Sequence, residues 1–183
     1  MASAFAHAAA GAALWPLLRT TRAPRHTWAI GAVLATLPDL DVIGFRVGVL
    51  YRAPLGHRGL THSLIVALIV GTTLAWVIAR QWRSLRDQLL LSAYLILALA
   101  THGLLDAMTS GGMGVALLAP IDDTRYFFPW RPIAVSPIGL RPFFTRHGVA
   151  ILANEALWVG VPSLAVASLG KWWRSSFGTA VRH

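Results

Sequence analysis

The sequence predicts an all-α integral membrane protein: one domain over residues 1–183, built as a bundle of about five apolar helices with an irregular proline- and aromatic-rich outer segment. Composition is the first reason, because 56% of the residues are apolar and 13% are charged, whereas a soluble domain carries about 25% charged residues. The second reason is that the apolar residues form five runs, each near the roughly 20 residues that cross a bilayer. The chain has no cysteine, which excludes disulfides and thiolate metal sites.

The five predicted helices cover residues 3–18, 28–49, 63–79, 89–108 and 149–169. The first is short, and Pro16 is expected to break it after Trp15. No basic residue precedes this helix and Arg19 follows it, which is the reverse of a cleavable signal peptide. We therefore expect it to be retained in the protein.

Segment 109–147 separates the last two predicted helices and contains five prolines, which prevent a continuous helix. It also carries six aromatic residues: Tyr126, Phe127, Phe128, Trp130, Phe143 and Phe144. This composition predicts a lip that folds over the outer membrane interface.

The net charge of +9 comes almost entirely from arginine. The basic residues lie between the apolar runs instead of lining one polar helix, which favours membrane topology over nucleic-acid binding. Short basic connections at 19–25 and 80–86, and the basic tail, share one face if the helices alternate in direction. The positive-inside rule then places that face in the cytoplasm of a bacterial inner membrane.

Seven ionisable residues interrupt or end the apolar runs: His7, Asp39, Asp41, His57, His62, His102 and Asp106. An ionised group in the apolar slab costs about 2.5 to 3.5 kcal/mol on insertion scales, so these residues need a partner. With alternating helices all seven lie at one membrane face, predicted to be periplasmic. Imidazole with carboxylate suits a divalent metal, Zn²⁺ first, with Mn²⁺ or Fe²⁺ as alternatives.

The spacing of these residues leaves some alternatives open. His102 and Asp106 are four residues apart and share one helical face. Asp39 and Asp41 would point about 200° apart on a regular helix. Since Pro38 loosens the helix there, either the turn unwinds and both carboxylates bind the metal, or one binds and the other orients a histidine.

Several motifs resemble a known family. PDLD (38–41), HRGLTHS (57–63), HGLLDAMTSGG (102–112) and RYFFPWRPIAVSPIG (125–139), with His7 in the first helix, resemble the LexA-regulated, membrane-bound metal-dependent hydrolases, the YdjM-type inner membrane proteins. The resemblance covers residues 3–145 and implies an integral membrane metal hydrolase linked to the DNA-damage response.

We expect metal-assisted hydrolysis at this site. The predicted metal ligands are His57, His62, His102 and Asp106, completed by Asp39 or Asp41 and by His7. A divalent ion lowers the pKa of its bound water to about 7, giving a metal-bound hydroxide. The carboxylate that the metal does not use, Asp39 or Asp41, is expected to take the proton.

Other polar residues suggest a substrate. Arg58 and Thr61 are predicted to hold an anionic group, although Arg58 could instead pair with a site aspartate. Glu155 is expected either to contact a metal ligand without binding the metal itself, or to pair with an arginine of the lip. Because the site faces the lipid boundary, we expect membrane lipid as a partner and a lipid or lipid-linked phosphoester as substrate.

Two other classes compete with the hydrolase. A transporter or metal-handling permease also places acids in the membrane, but its site is expected near the midplane, with an internal repeat. A non-catalytic protein with a structural metal is expected to close the site with protein ligands and leave no open position for water.

Overall fold

The computed structural model describes residues 1–137, 139 and 141–177, which form a helical bundle. Its α-helices are α1 (Ala4–Ala13), α2 (Trp15–Leu18), α3 (Thr27–Leu34), α4 (Leu64–Ala79), α5 (Leu85–Ala107), α6 (Arg146–Glu155) and α7 (Val161–Phe177). Tighter 3₁₀ segments occupy Leu37–Val47, Leu60–His62 and Arg141–Phe144, and a π-helical turn occupies Ala156–Gly160. Within the described residues no strand forms, so the predicted all-α class is confirmed.

All five predicted helices are present, with shifted ends. The first is divided at Leu14, one residue before the predicted break. The fourth begins at Leu85 instead of Leu89, because the Ser84 hydroxyl caps its first turn. The fifth combines α6, the π-helical turn and α7. Two residues of the predicted lip, 138 and 140, and the end of the basic tail, 178–183, lie outside the described residues.

Three helical stretches are long and apolar enough to cross a membrane: Thr27–Val47, Leu85–Ala107 and Arg146–Phe177. Two more, Ala4–Leu18 and Leu64–Ala79, are apolar but shorter. Large apolar side chains of α4, among them Leu68, Ile69 and Trp76, are exposed on the outside of the bundle. A helix that is apolar on every side fits a lipid environment.

Helices α4 and α5 pack closely through small side chains. Ala67, Gly71, Ala75 and Ala79 recur at every fourth position of α4, and all four are buried. A Cβ atom added to Gly71 would lie 2.7 Å from the backbone of Ile96 in α5. Small residues at this spacing let membrane helices approach each other.

A second close contact joins α1 to α3. A Cβ atom on Gly11 would lie 2.5 Å from the carbonyl oxygen of Gly31. His7 lies one turn before Gly11, so this contact brings the His7 ring to the end of α3. The packing of two glycines therefore positions an ionisable side chain.

The segment between α5 and α6 covers the ends of both α1 and α5. Its backbone is hydrogen-bonded to the bundle: Phe128 N–H donates to Ala107 O, and Ser110 N–H donates to Ile133 O within the segment. The Ile133 side chain is fully buried against Ala6 and Val159. The predicted lip is thus packed on the end of the bundle where the ionisable residues lie.

Candidate metal centre

The seven ionisable residues named above lie together at one end of the bundle. His7 comes from the first turns of α1, and Asp39 and Asp41 come from Leu37–Val47. The loop before α4 contributes His57 and His62, and the last turns of α5 contribute His102 and Asp106. Ion-pair distances of 4.0 Å or less link all seven.

Four of these residues form an inner group: Asp39, His62, His102 and Asp106, each buried, with one ligand atom apiece within 4.8 Å of the others. Asp39 Oδ1 lies 3.4 Å from His102 Nε2 and 3.6 Å from His62 Nε2. Asp106 Oδ2 lies 3.7 Å from His62 Nε2. Four ligands at 2.0–2.2 Å from a tetrahedral Zn²⁺ stand about 3.3–3.6 Å apart, so these three separations are close to those around a single ion.

The tautomer of His102 is fixed by the backbone. Its Nδ1 lies 2.7 Å from the carbonyl oxygen of Ala35, which can only accept a hydrogen bond. Nδ1 therefore carries the proton, and the Nε2 lone pair faces Asp39. The α-helix stops just before this carbonyl because Pro38 has no N–H to offer Leu34.

His62 is oriented by its neighbour Thr61. The Thr61 hydroxyl donates its one proton to Asp41 Oδ2 at 2.9 Å, so it accepts from His62 Nδ1 at 3.0 Å. The Nε2 of His62 then faces the carboxylates of Asp39 and Asp106. Burial by itself would lower the pKa of His62, but the nearby Asp39 and Asp41 raise that pKa above its ordinary value, as expected where carboxylates attract positive charge.

His7 completes the inner group on the α1 side. Its Nε2 lies 3.4 Å from Asp106 Oδ1 and 3.9 Å from Asp39 Oδ2. The ring is fully buried and stacks on His102 with 3.7 Å between ring centroids. His7 Nε2 is thus next to the four-residue group, where it could add a third nitrogen to the two of His62 and His102.

The oxygen and nitrogen atoms that could bind a metal in this group lack regular hydrogen bonds. Among the described residues, both oxygens of Asp39 and Nε2 of His7, His62 and His102 are buried without a hydrogen-bond partner. Asp106 Oδ2 also lacks a hydrogen bond, but it lies 3.1 Å from Arg58 Nε in an ion pair. Buried polar atoms are paired in the great majority of cases. Carboxylate oxygens and imidazole nitrogens that face one another in this way fit a divalent cation.

Asp41 and His57 have a different geometry. Asp41 Oδ1 lies 2.7 Å from His57 Nδ1, and both side chains are 2% exposed. This is a hydrogen-bond distance, whereas two ligands of one zinc ion stand about 3.3–3.6 Å apart. Asp41 therefore connects His57 to His62, whose Nδ1 lies 3.3 Å from Asp41 Oδ2. The three residues also have ligand atoms within 4.8 Å of one another.

The 3₁₀ geometry of Leu37–Val47 explains how both aspartates face the site. With three residues per turn, Asp39 and Asp41 point about 120° apart instead of the wider angle of an α-helix. The turn is tighter, not unwound. Asp39 thereby enters the inner group, and Asp41 reaches His57 and Thr61.

Arg58 is fully buried behind Asp106. Its Nε lies 3.1 Å from Asp106 Oδ2, and its two Nη atoms donate to Gly111 O and Thr109 Oγ1 at 2.9 Å each. A Cβ atom on Gly112 would lie 2.6 Å from Arg58 Nη1. These are the contacts of an arginine paired with a site aspartate. Substrate binding by Arg58 or by the exposed Thr61 stays a prediction.

Comparison with known proteins adds the family. The family model described as YdjM inner membrane protein matches residues 1–176. The chain belongs to this family. Inner membrane protein YbcI of Escherichia coli (strain K12) is 41% identical over 152 residues, which are 82% of this chain and 85% of that protein. No solved structure matches the chain.

Membership in the YdjM family confirms the predicted resemblance and the inner-membrane location. The family match also reaches Ser176, so it includes α6 and α7, which the motif resemblance did not cover. Apolar spanning helices and a buried cluster of histidines and aspartates that could hold a metal ion are thus features of a YdjM-family inner membrane protein.

Two contacts in this YdjM-family chain were missed from sequence. Ala2 N–H donates to Asp106 Oδ1 at 2.7 Å, so the segment before α1 is attached to the inner group. Among the described residues, Glu155 makes no ion pair with an arginine of the lip and no hydrogen bond with the seven site residues; its carboxylate accepts from the N–H and the hydroxyl of Ser3. Ser3 is recognisable as the cap of α1, but its partner 152 residues away has no sequence signal.

Proposed function

We propose that the chain is a metal-dependent hydrolase of the inner membrane that cleaves a lipid or lipid-linked phosphoester. The observation that carries this proposal is the buried inner group, in which both oxygens of Asp39, Oδ2 of Asp106 and Nε2 of His62 and His102 have no hydrogen-bond partner among the described residues. Ionisable residues inside a membrane bundle are rare and usually mark a functional site. The link to the DNA-damage response stays a prediction.

The proposed ligands are Asp39, His62, His102 and Asp106, with His7 as a fifth donor. Their side chains suit Zn²⁺, with Mn²⁺ or Fe²⁺ as alternatives. A divalent ion held there would activate water for attack and polarise the phosphoester bond. Ala35 O and Thr61 Oγ1 support this arrangement, because each fixes one histidine with its Nε2 toward the carboxylates.

Asp41 and His57 are proposed to receive the proton that water releases. Because a carboxylate only accepts hydrogen bonds, His57 Nδ1 carries the proton of their 2.7 Å contact and His57 Nε2 is left as a base. Asp41 then stabilises the positively charged ring. This assignment combines the predicted catalytic Asp41 with a histidine that was predicted as a metal ligand.

The proposed substrate is amphiphilic because apolar side chains lie next to the site. Leu37, Leu40 and Ile43 are 41%, 58% and 56% exposed on the 3₁₀ segment that carries the two aspartates. At three residues per turn they form one stripe, suited to contact an acyl or prenyl chain.

Two arginines near the same loop suit an anionic headgroup. Arg52 and Arg125 line a shallow groove of about 450 Å³, which Asp123 also lines. The Arg125 guanidinium is held against the loop by donating to His57 O and Tyr51 O. Arginine favours phosphate because its planar donors bind two oxygens at once.

The test is hydrolysis of defined lipids by detergent-purified protein. Metal-loaded parent protein should release product from dioleoyl phosphatidic acid or dioleoyl phosphatidylglycerol and act less on soluble p-nitrophenyl phosphate, with activity lost on chelation and restored by Zn²⁺. Asp106→Asn should be inactive, and His26→Ala should match the parent because His26 is exposed and distant from the site. Stoichiometric metal without hydrolysis of either lipid would overturn the proposal and favour a structural or transport role.

A further inference from the structure

A second polar cavity lies at the opposite end of the bundle from the metal centre. It has a volume of about 550 Å³ and lies between α1–α2, the start of α3 and α7. Its polar and aromatic walls are Trp15, Arg19, Arg25, Trp28, Lys171 and Arg174. Nothing in the proposed hydrolysis uses these residues.

Three of the cations in this cavity have no anionic partner. Arg19, Arg25 and Lys171 are exposed, and in the described part of the chain no carboxylate lies within 4.0 Å of their charged groups. The neighbouring Arg22 differs, because its Nε lies 3.6 Å from Asp87. Three cations that share a cavity repel one another, so an anion between them is favoured.

Arg174 and Gly170 hold the cavity walls in place. Arg174 donates to the carbonyl oxygens of Pro16, Leu17 and Arg19, which are left free where α2 ends. A Cβ atom on Gly170 would lie 2.6 Å from Leu17 N, so glycine is required for α7 to approach α2 this closely. The spacing of the cations is therefore built by packing between helices.

The depth of the cavity points to a lipid. Trp15 is buried at 4% exposure and Trp28 is 51% exposed, and tryptophan collects at the level of the lipid headgroups. The wall toward the membrane interior is apolar, with Ala12 and Ala167. A free anion would use the cations alone, whereas a phospholipid uses the cations for its headgroup and the apolar wall for its chains.

We propose that this cavity binds an anionic phospholipid, with its phosphate between Arg19, Arg25 and Lys171. Basic pockets between membrane helices bind anionic headgroups in this way, at about 1 kcal/mol for each cation near the surface. The proposal is independent of the hydrolase assignment, since it concerns the other membrane face.

The test is native mass spectrometry of the detergent-purified full chain with dioleoyl phosphatidylglycerol, and with dioleoyl phosphatidylcholine as the neutral lipid. The parent should retain phosphatidylglycerol selectively. The triple variant R19Q/R25Q/K171Q should bind it on the order of 100-fold more weakly, since each cation contributes about fivefold. The single variant R25Q should lose about fivefold.

A matched control removes the same charge elsewhere on the same face. R80Q/R83Q/R86Q neutralises three arginines in and next to the α4–α5 connection and should leave binding within about twofold of the parent, because none of the three lines the cavity. Thermal unfolding of both triple variants in neutral detergent checks that they fold. If R19Q/R25Q/K171Q does not fold, the lipid binding of the single variant R25Q tests the proposal instead. Equal losses in both triples, unchanged binding in the first triple, or displacement of the lipid by excess glycerol 3-phosphate would each overturn the proposal.

Discussion

His102 Nδ1 lies 2.7 Å from the carbonyl oxygen of Ala35, so the end of one membrane helix fixes the chemical state of a ring on another. A histidine held this way has its Nε2 lone pair free for a cation. Since Pro38 ends the α-helix near this carbonyl, the PDLD motif serves two purposes. It supplies carboxylates, and it leaves a backbone acceptor behind the ring.

Replacing His102 should empty the proposed metal centre. His102→Ala removes a donor nitrogen, so we expect metal affinity to fall at least about 100-fold, beyond what loss of a supporting contact costs. Elemental mass spectrometry of the purified protein measures its metal content. His26→Ala should keep the parent's stoichiometry, and full metal in His102→Ala would remove His102 from the ligands.

Asp41 and Asp39 should respond differently to the same substitution. Asp39→Asn removes a proposed ligand and should abolish metal binding. Asp41→Asn keeps the shape but weakens the contacts with His57 and Thr61, so metal affinity should fall about 10- to 100-fold while hydrolysis at saturating metal is nearly lost. Calorimetric titration with Zn²⁺ and the lipid assay separate the two effects. Identical behaviour of the two variants would contradict the division of roles.

Gly112→Ala should destabilise the protein. Gly112 has a φ of 91°, and an added Cβ would lie 2.6 Å from Arg58 Nη1. We expect a loss of about 1–3 kcal/mol in the free energy of unfolding from the backbone conformation alone. Unfolding of the parent and of Gly112→Ala in detergent measures this difference in free energy. Gly160→Ala is the control because its Cβ would meet nothing closer than 3.9 Å; an equal effect there would rule out this explanation.

Metal affinity should fall as the pH is lowered. A histidine must be neutral to bind a metal, and the pKa of His62 is raised by Asp39 and Asp41 against the effect of burial. Protons therefore begin to compete with the metal for His62 at a pH above the ordinary pKa of histidine. The competition becomes stronger as the pH falls. Zn²⁺ affinity measured across neutral and mildly acidic pH tests this, and an affinity independent of pH would contradict binding through His62.

Topology reporters test the orientation. Gln81 follows α4 and lies in the short connection before α5, within the basic segment 80–86. By the positive-inside rule, fusions at Gln81 and at the C-terminus should both report a cytoplasmic location. A periplasmic signal at either position would overturn the predicted orientation, and periplasmic signals at both would place the metal centre on the cytoplasmic face.

The elements that could be predicted follow repeating patterns. The apolar runs gave the five helices, and the four-residue spacing of His102 and Asp106 gave their common face on α5. The ends of the helices are harder to predict from sequence, because a polar first turn such as 85–88 does not extend an apolar run. Only the Ser84 cap marks the start of this turn in the sequence.

Other parts of the site depend on the backbone. Leu37–Val47 is a 3₁₀ helix, and the angle between Asp39 and Asp41 depends on that choice, which residue types do not determine. The Ala35 carbonyl could not be identified either, since every residue carries one. The pairing of Ser3 with Glu155 joins the start of α1 to the end of α6 and depends on tertiary packing alone.

Helix α4 has 16 residues and is therefore about 24 Å long, against a hydrocarbon core of about 30 Å. A bilayer adapts to such hydrophobic mismatch by thinning or by tilting the helix. Where it thins, lipid phosphates beside α4 sink toward the depth of Thr61 and His62, which directly precede this helix. The shortness of one helix would thus bring headgroups nearer to the cluster at which we propose that a lipid phosphoester is cleaved.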